Sequence, residues 1–464
     1  MKLYNTMSGR LEDLKPSDGQ QQQQIRIYLC GVTVYDYSHV GHARTIIIFD
    51  VLRRYLAQKG YRVRFVQNFT DVDDKIINAA KELGVEPKQL SQRFIDQYFQ
   101  DFDALNVLRA DVYPRATDHI DEMQKMVQGL VEKDFAYASS KGVYFHVPSD
   151  KDYGRLSKKP LDELQAGARV EVDPEKKSPL DFALWKLYDS GPLWESSWGR
   201  GRPGWHIECS AMSIKYLGSD FEIHGGGEDL IFPHHENEIA QSESYTGTNF
   251  ARHWVHVGMV TIRGEKMAKS LKNIEPIHVA LKRWRGNAVR IYCLSGHYRK
   301  TLDYDEELLE NALARWRDIE NCAYELEFAD GSGGPAEEAG KVAKESLREF
   351  LAAMDNDLDT PNALTAFTKL VKAINRYAAG DELSRDVANA VKEPFDAMTF
   401  VLGLKKSEVS AEERKEIEDM IGQRNEYREQ KRYADADRIR EELGKKGVEL
   451  MDHKVRTVWK KLEM

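Results

Sequence analysis

A strand, a helix and a second strand in direct succession constrain the fold of this chain most strongly. Residues 25–29 (Ile-Arg-Ile-Tyr-Leu) alternate apolar and polar side chains, which predicts a strand. Apolar residues at helical spacing from His42 to Lys59, ended by Gly60, predict a helix, and Tyr61 to Phe69 reads as the second strand. Such a unit requires parallel strands joined by a right-handed crossover. The sequence therefore predicts an α/β fold with a Rossmann-like parallel-sheet core.

The rest of the chain interrupts this core and extends it. The 464 residues, 41% of them hydrophobic, support about three domains. Proline and glycine punctuate short predicted strands over 136–200, which indicates an insertion between two halves of the sheet. The predicted divisions are a first core half at 1–120, a connective insertion at 121–200, a second core half at 201–260, a lysine-loop and core-bracing helical segment at 261–315, a helical bundle at 316–405 and a C-terminal domain at 406–464. The domains after the core are expected to be all-helical.

Composition excludes several classes of protein. No apolar run approaches the ~18 residues that span a bilayer, and the first residues lack an apolar signal core, so we expect a cytoplasmic protein that does not enter a membrane. Four scattered cysteines are too few for a disulfide framework. The net charge is −9, but residues 421–464 hold 12 Lys/Arg against 9 Asp/Glu. Any contact with nucleic acid must therefore use local basic patches.

Two short basic motifs follow predicted strands: His39-Val40-Gly41-His42 and Lys266-Met267-Ala268-Lys269-Ser270. The first lies at the start of a helix, where phosphates bind readily, and its imidazoles can donate hydrogen bonds to ATP. The second places two lysines where they could stabilise a pyrophosphate leaving group. Each alone has a simpler interpretation, a histidine helix cap or a solvated basic loop. Together and in this order they favour a nucleotide site built from two halves of a sheet.

Four further residues form a set of zinc-type ligands: Cys30, Cys209, His234 and Glu238. His234 and Glu238 are spaced i, i+4 on a predicted helix, so their side chains point the same way, whereas His235 has the wrong spacing to pair with Glu238. The alternatives are buried cysteines that act as small hydrophobes and an ordinary helical surface pair. Position favours zinc, because Cys30 ends the strand that leads to His39.

The chain resembles the class I aminoacyl-tRNA synthetases at both basic motifs. The first is similar to the HIGH signature, with Val40 for isoleucine, and the second to KMSKS, with Ala268 for the middle serine. The zinc-type set and several longer runs resemble the cysteinyl-tRNA synthetases in particular, and the similarity covers essentially the whole chain. These runs are Cys30–Thr45, Asn68–Lys75, Gly201–Met212, His224–Gln241, Met354–Ala363 and Ala434–Arg440.

The resemblance implies roles for individual residues. It implies that ATP is bound by His39, Gly41, His42, Gly227, Asp229, Lys266 and Lys269, of which the two histidines and two lysines are catalytic. It implies an amino-acid pocket of Gly31, Thr70, Trp205 and His224, although Trp205 could instead be a core aromatic. It implies one zinc per chain, held by Cys30, Cys209, His234 and Glu238.

The same resemblance implies the reaction and its partners. Cysteine and Mg-ATP would form cysteinyl-adenylate and pyrophosphate, and the cysteinyl group would move to the 3′ end of tRNA(Cys). Zinc would select the substrate thiolate, residues 406–464 would bind the tRNA anticodon, and the enzyme would act as a monomer. Three alternatives remain open: an ATP-dependent cysteine ligase acting on an amino sugar, a nucleotidyltransferase with an HxGH-type site, and an inactive RNA-binding or zinc-sensing protein.

Overall fold

The computed structural model describes residues 1–16, 23–159, 175–267, 273–453 and 456–462. They form two compact units. The first comprises residues 1–280, 296–305 and 354–359, and the second comprises 281–295, 306–353 and 360–464. Within the described ranges, no helix combines the length and the apolar character needed to cross a membrane.

The strands and helices are numbered in chain order. The strands are β1 (Lys2–Asn5), β2 (Arg10–Asp13), β3 (Gln24–Thr33), β4 (Arg62–Thr70), β5 (Ala136–Ser139), β6 (Gly142–Phe145), β7 (Phe182–Leu187), β8 (Gly201–Pro203), β9 (Phe221–Gly227), β10 (Ala251–Val257), β11 (Val260–Ile262), β12 (Glu265–Lys266), β13 (Leu302–Asp303), β14 (Val448–Asp452) and β15 (Thr457–Lys461). The helices are α1 (Val40–Gln58), α2 (Asp74–Leu83), α3 (Pro87–Ala104), α4 (Ile120–Glu132), α5 (Trp205–Leu217), α6 (Glu236–Thr246), α7 (Ile277–Trp284), α8 (Gly286–Leu294), α9 (Glu306–Glu327), α10 (Ala336–Asp355), α11 (Thr360–Ala379), α12 (Arg385–Leu402), α13 (Ala411–Glu429) and α14 (Tyr433–Lys445).

Four parallel strands form the core sheet of the first unit, in the order β10-β9-β3-β4. The predicted strand, helix and strand are β3, α1 and β4, and the two strands pair in parallel as expected. Ile25, Ile27 and Leu29 of β3 are completely buried, as in a strand covered on both faces. The predicted α/β class with a parallel-sheet core is confirmed.

A second, antiparallel sheet of β5, β6, β7 and β8 belongs to the same unit. It packs on α4 and α5 through a cluster that includes Met123, Phe145, Leu184, Trp185 and Ile207. This sheet occupies the part of the chain where proline and glycine interrupt short strands. Its position in the sequence separates β3 and β4 from β9 and β10.

Two local expectations differ from the structure. The sequence predicts a single strand over about 253–262, but the chain divides there into β10 of the core sheet and β11 of a three-stranded sheet with β12 and β13. Gly258 lies at the break, where a Cβ atom would come within 2.6 Å of the Lys300 carbonyl oxygen. In addition, the three successive glycines from Gly225 to Gly227 predict a turn, but they continue β9, and the turn begins at Glu228.

The second unit is mainly helical and contains the end of α7, all of α8 and α9, most of α10, and α11 to α14. A two-stranded hairpin, β14 and β15, follows the last helix. It packs against α13 and α14 in a cluster that includes Ile417, Leu443, Val448 and Trp459. The expectation of all-helical domains after the core did not include this hairpin. Its two strands contain only five residues each, so their sequence signal is weak beside the long helical segments that precede them.

Candidate nucleotide and metal site

A cavity of about 450 Å³ opens at the carboxyl ends of β3, β9 and β10. β4 lies on one side of β3 and β9 on the other, so the strand order changes direction between β3 and β9, which is the usual ligand position in open α/β sheets. Nine of the predicted site residues line this cavity: Cys30, Gly31, His39, Gly41, His42, Trp205, Gly227, Asp229 and Lys266. The structure therefore brings the histidine motif and the first lysine to one place.

The histidine motif caps helix α1 with its own side chains. His39 Nδ1 accepts a hydrogen bond from the Gly41 N–H at 3.1 Å, and His42 Nδ1 accepts one from the His39 N–H at 3.3 Å. Both Nδ1 atoms are acceptors, so these bonds assign the ring proton of each neutral imidazole to Nε2. Burial, together with the neighbouring His39, holds the pKa of His42 well below its usual value. His42 is therefore a neutral hydrogen-bond donor.

The first N–H groups of α1 are less available than the sequence suggests. The Val40 N–H donates to the Glu275 carbonyl oxygen at 3.0 Å, and the Gly41 N–H is bound to His39. A phosphate at this helix end would therefore be contacted mainly through the imidazole Nε2–H groups. The expectation of free helix N–H groups is corrected in this respect.

The lysine motif is described only in part. Lys266 ends β12, where it pairs with Thr261 of β11, and its Nζ lies 3.7 Å from Asp229 Oδ2 at the cavity wall. Its side chain is 58% exposed and therefore free to reach a ligand. Lys269 and Ala268 lie outside the described residues, so their expected roles stay predictions.

The four zinc-type ligands come together beside the cavity, with Cys30 in its wall. Their donor atoms all lie within 4.8 Å of one another. Cys30 Sγ is 3.6 Å from Cys209 Sγ and 3.3 Å from Glu238 Oε1, and His234 Nε2 is 3.0 Å from the same oxygen. Adjacent ligands in a tetrahedral zinc site are separated by about 3.3–3.8 Å, given the usual zinc–ligand distances. Cys30 has this spacing from both Cys209 and Glu238, whereas His234 lies at hydrogen-bond distance from Glu238. The set therefore fits zinc in its donor chemistry, and in spacing around Cys30.

The strands and helices that carry the ligands explain why the set forms. Cys30 lies at an irregularity of β3, where the register with β4 shifts between Leu29 and Val32. Gly31 is required there, because a Cβ atom would come within 1.6 Å of the Asn68 carbonyl oxygen. Cys209 lies on α5. Glu238 is in the first turn of α6, and His234 is in the π-helical turn just before it.

Sequence reasoning missed the residues that orient these ligands. His206 Nδ1 lies 2.9 Å from His234 Nδ1, which turns the opposite nitrogen of His234 toward Glu238. Metal-binding histidines usually have such a partner, which could have prompted a search among the histidines. Helical spacing predicts that His235 does not pair with Glu238, and the structure agrees only in part. His235 Nε2 is 3.9 Å from Glu238 Oε1. In addition, His235 belongs to a second possible metal cluster with Cys30, His224 and Glu238.

Buried charge controls the protonation of the set. Burial alone would raise the pKa of Glu238, but His224 and His234 outweigh it and hold that pKa well below its usual value. Burial raises the pKa of the Cys30 thiol well above normal. It opposes ionisation of Cys209 too, but hydrogen bonds from Cys30 and His234 lower the pKa of the Cys209 thiol. The cluster thus favours one carboxylate and one thiolate.

The predicted amino-acid pocket residues occupy two different positions. Gly31 and Trp205 line the cavity, and the Trp205 ring, 39% exposed, stacks on His234 at 4.2 Å between centroids. Thr70 and His224 are buried behind the wall. The Thr70 hydroxyl donates to Glu208 Oε2 at 2.8 Å, and His224 Nε2 lies 3.1 Å from Glu238 Oε2.

Comparisons with known proteins identify the family of the chain. Residues 16–314 match the family model for the class I (C) tRNA synthetase catalytic domain, and residues 349–406 match the DALR domain. A cysteine–tRNA ligase of Pyrococcus abyssi is 47% identical, with 100% of this chain and 99% of the relative covered, and that of Thermodesulfovibrio yellowstonii is 45% identical, with 99% of each covered. Methionyl-tRNA synthetase of Mycobacterium tuberculosis, solved with methionyl-adenylate, shares the fold with a TM-score of 0.61 at 17% identity, covering 82% of this chain and 91% of that one. The chain belongs to the cysteine–tRNA ligases, a family of class I tRNA synthetases.

Proposed function

We propose that this cavity activates L-cysteine with Mg-ATP and then transfers the cysteinyl group to the 3′ end of tRNA(Cys). One observation carries the proposal: Cys30 belongs both to the zinc-type set and to the wall of the cavity that holds the ATP motifs. A thiol placed at the set would therefore lie beside the ATP site. In the first step a cysteine carboxylate oxygen attacks the α-phosphorus of ATP, and the bond to pyrophosphate breaks.

Cys30, Cys209, His234 and Glu238 would hold the zinc, one per chain. When bound there, zinc supplies a Lewis acid that prefers a thiolate to the hydroxyl of serine. An apolar pocket distinguishes such similar groups poorly. Trp205 covers the set on the cavity side, and His206 fixes the orientation of His234. These two residues would keep the set rigid when the amino acid binds.

Gly31 and Trp205 would contact the amino acid directly. Thr70 and His224, which are buried behind the cavity wall, would act through the residues that they contact. Gly31 offers a surface without a side chain next to Cys30, and its N–H is bound by Asn68 Oδ1 at 2.8 Å. His224 is completely buried and would act on the substrate indirectly, because its Nε2 lies 3.1 Å from Glu238 Oε2 and 3.8 Å from Cys30 Sγ. We therefore propose a positioning role for His224.

The ATP-binding roles follow from charge and hydrogen-bond direction. The Nε2–H groups of His39 and His42 would donate to phosphate oxygens, and Gly41 leaves space for the nucleotide beside them. Gly227 and Asp229 would contact the ribose and adenine. Lys266, and Lys269 as a prediction from the motif, would stabilise the departing pyrophosphate, which develops charge in the transition state. Magnesium would accompany ATP.

The C-terminal residues 406–464 would bind the tRNA anticodon region, as the domain division predicts. The structure narrows the set of arginines that could do so. Arg424 is 3% exposed and donates to both Asp452 oxygens at 2.9 and 2.6 Å, so its role is structural. Arg428 and Arg440 remain about half exposed, at 47% and 56% of their side chains. These two would contact phosphates and make binding sensitive to salt.

Pyrophosphate exchange with each of the twenty amino acids would test the first step. Only cysteine should support rapid exchange, serine should be rejected, and the purified protein should contain one zinc per chain. Aminoacylation of total tRNA should then charge tRNA(Cys) with cysteine. Exchange supported equally by serine, in protein that contains zinc, would contradict the proposed role of the metal. A protein without zinc would contradict the proposed site.

A further inference from the structure

We propose that Arg44 is a positioning residue that fixes the lysine-bearing hairpin relative to the histidine motif. Arg44 lies on α1, two residues after His42, and is completely buried. It would therefore act on ATP chemistry through the main chain that it holds. This inference rests on the ATP site proposed above.

The Arg44 guanidinium donates to three main-chain carbonyl groups. Nη1 donates to the carbonyl oxygens of Gly258 and Met259 at 2.9 and 3.0 Å, and Nη2 donates to that of His297 at 3.1 Å. Gly258 and Met259 connect β10 to β11, and they also line the ATP cavity. A planar guanidinium can satisfy several carbonyls in one fixed arrangement, which a lysine ammonium does not reproduce.

The same turn is held from its other side. The Met259 N–H donates to Glu228 Oε1 at 3.0 Å, and the Gly258 N–H donates to the Tyr298 carbonyl oxygen at 2.8 Å. Glu228 directly follows Gly227, a predicted ATP contact. Met259 therefore links two parts of the site. Its carbonyl oxygen accepts from Arg44 of α1, and its N–H donates to Glu228, which directly follows β9.

A short hairpin transmits the position of this turn to Lys266. Val260 begins β11 immediately after Met259, and Thr261 pairs with Lys266 across the hairpin. The hairpin is further fixed by Asp303, whose Oδ1 accepts from the Thr261 hydroxyl at 2.7 Å and from the Gly264 N–H at 2.9 Å. A displaced turn would therefore displace Lys266.

The chain beyond the lysine motif is attached to the same helix start. The Glu275 carbonyl oxygen accepts from the Val40 N–H at 3.0 Å, and the Ile277 N–H donates to the Ser38 carbonyl oxygen at 2.9 Å. The described chain on each side of the motif is thus bound to α1 or to the residues just before it. Arg44 supplies the side-chain contact on the entry side.

The test compares Arg44→Lys with Arg54→Lys. Arg54 is a matched control, since it lies on the same helix, is buried, and bonds to Asp50 Oδ2 at 2.9 Å and to the Asn106 carbonyl oxygen at 2.7 Å, away from the cavity. Cysteine-dependent pyrophosphate exchange gives kcat and the KM for ATP and for cysteine. Arg44→Lys should lower kcat by ~10-fold or more, since small misplacements of catalytic groups are costly. Zinc content and the KM for cysteine should stay unchanged, and Arg54→Lys should keep its kcat.

Two further variants separate the possible failures. Glu228→Ala removes the opposite contact to Met259, so it should also lower kcat, and it serves if Arg44→Lys does not fold. Equal kcat values for Arg44→Lys and Arg54→Lys, or a normal kcat for Glu228→Ala, would overturn the positioning role. Lys266→Ala tests the ATP site itself: normal exchange in that variant would overturn the proposed site, whereas slow exchange would leave only the role of Arg44 in question.

Discussion

The two compact units use charged side chains in opposite ways. In the first, Cys209, His234 and Glu238 are buried around one possible metal position. In the second, Asp452 is partly exposed. Its carboxylate oxygens lie 2.6–3.9 Å from guanidinium nitrogens of Arg424, Arg428 and Arg440. Buried charges need specific partners, so their arrangement indicates function. Surface charges need none, and their number in the sequence says little about which of them meet a ligand.

Cys209→Ser should have the largest effect and tests whether the buried charges of the first unit form a metal site. We expect loss of zinc and a fall in cysteine activation of at least ~100-fold, because even indirect partners of a metal cost 10–100-fold. Elemental analysis and pyrophosphate exchange measure both. Cys322→Ser is the control, since Cys322 is buried in α9 of the second unit. Loss of zinc with cysteine and serine still distinguished would refute the specificity role.

Lys266→Ala should have the second largest effect. We expect adenylate formation to be slowed by ~100-fold and the affinity for cysteine to be nearly unchanged. Lys266 is exposed at the cavity wall, so we expect it to stabilise the transition state and to contribute little to the stability of the fold. Lys81→Ala, at an exposed position on α2, is the control and should behave as wild type. Single-turnover measurements of adenylate formation provide the rate. A wild-type rate would show that Lys266 is only a solvated basic residue.

A combined Arg428→Glu and Arg440→Glu variant tests whether the exposed charges of the second unit bind RNA. The KM for tRNA should rise by ~10-fold and depend less on salt, while pyrophosphate exchange should remain normal. This variant is sharper than deletion after residue 408, because Trp459 packs 5.6 Å from Phe328 of the second unit and a deletion would expose that contact. Unchanged tRNA charging would remove these arginines from the interface.

Asp452→Asn should have the smallest effect. Burial raises the pKa of Asp452, but hydrogen bonds from Arg424 outweigh it and hold the pKa below its usual value. Its contribution to stability is therefore fully present above the unfolded-state pKa of ~3.9 and is lost as pH falls through the folded-state value. We expect a loss of about 1 kcal/mol at pH 7 for this partly exposed pair. Urea unfolding should show the difference from wild type shrinking below pH 4; a difference independent of pH would exclude the ion pair as its cause.

The sequence was sufficient to predict the position of a site residue where a motif lies at the end of a predicted strand. The βαβ unit, the cavity position of His39 and His42, and the meeting of Cys30 with Glu238 all follow from periodicity, spacing and family resemblance. A partner for His234 could be expected, but its identity as His206 could not be predicted, nor could the pairing of Glu208 with Thr70, because these residues become neighbours only when the chain folds.

Other features depend on burial and not on residue type. Arg424 looks like its neighbours in the sequence, yet Asp452 removes it from solvent. Arg44 belongs to neither basic motif in the sequence. Its proposed positioning role follows from its contacts with three carbonyl oxygens in the folded chain. The break between β10 and β11 likewise depends on how closely Gly258 approaches Lys300. The domain divisions and the individual roles in the site stay predictions.

The dispersed origin of the zinc-type ligands has a consequence for biosynthesis. Cys30 and Glu238 are 208 residues apart, and Cys30 and Cys209 are 179 apart. Closing such long loops is entropically costly, so an unfolded or growing chain does not preassemble the set. Capture of the proposed zinc would therefore follow the pairing of β9 with β3, after more than half of the chain has left the ribosome. The zinc content of a preparation would then count the molecules whose sheet has assembled correctly.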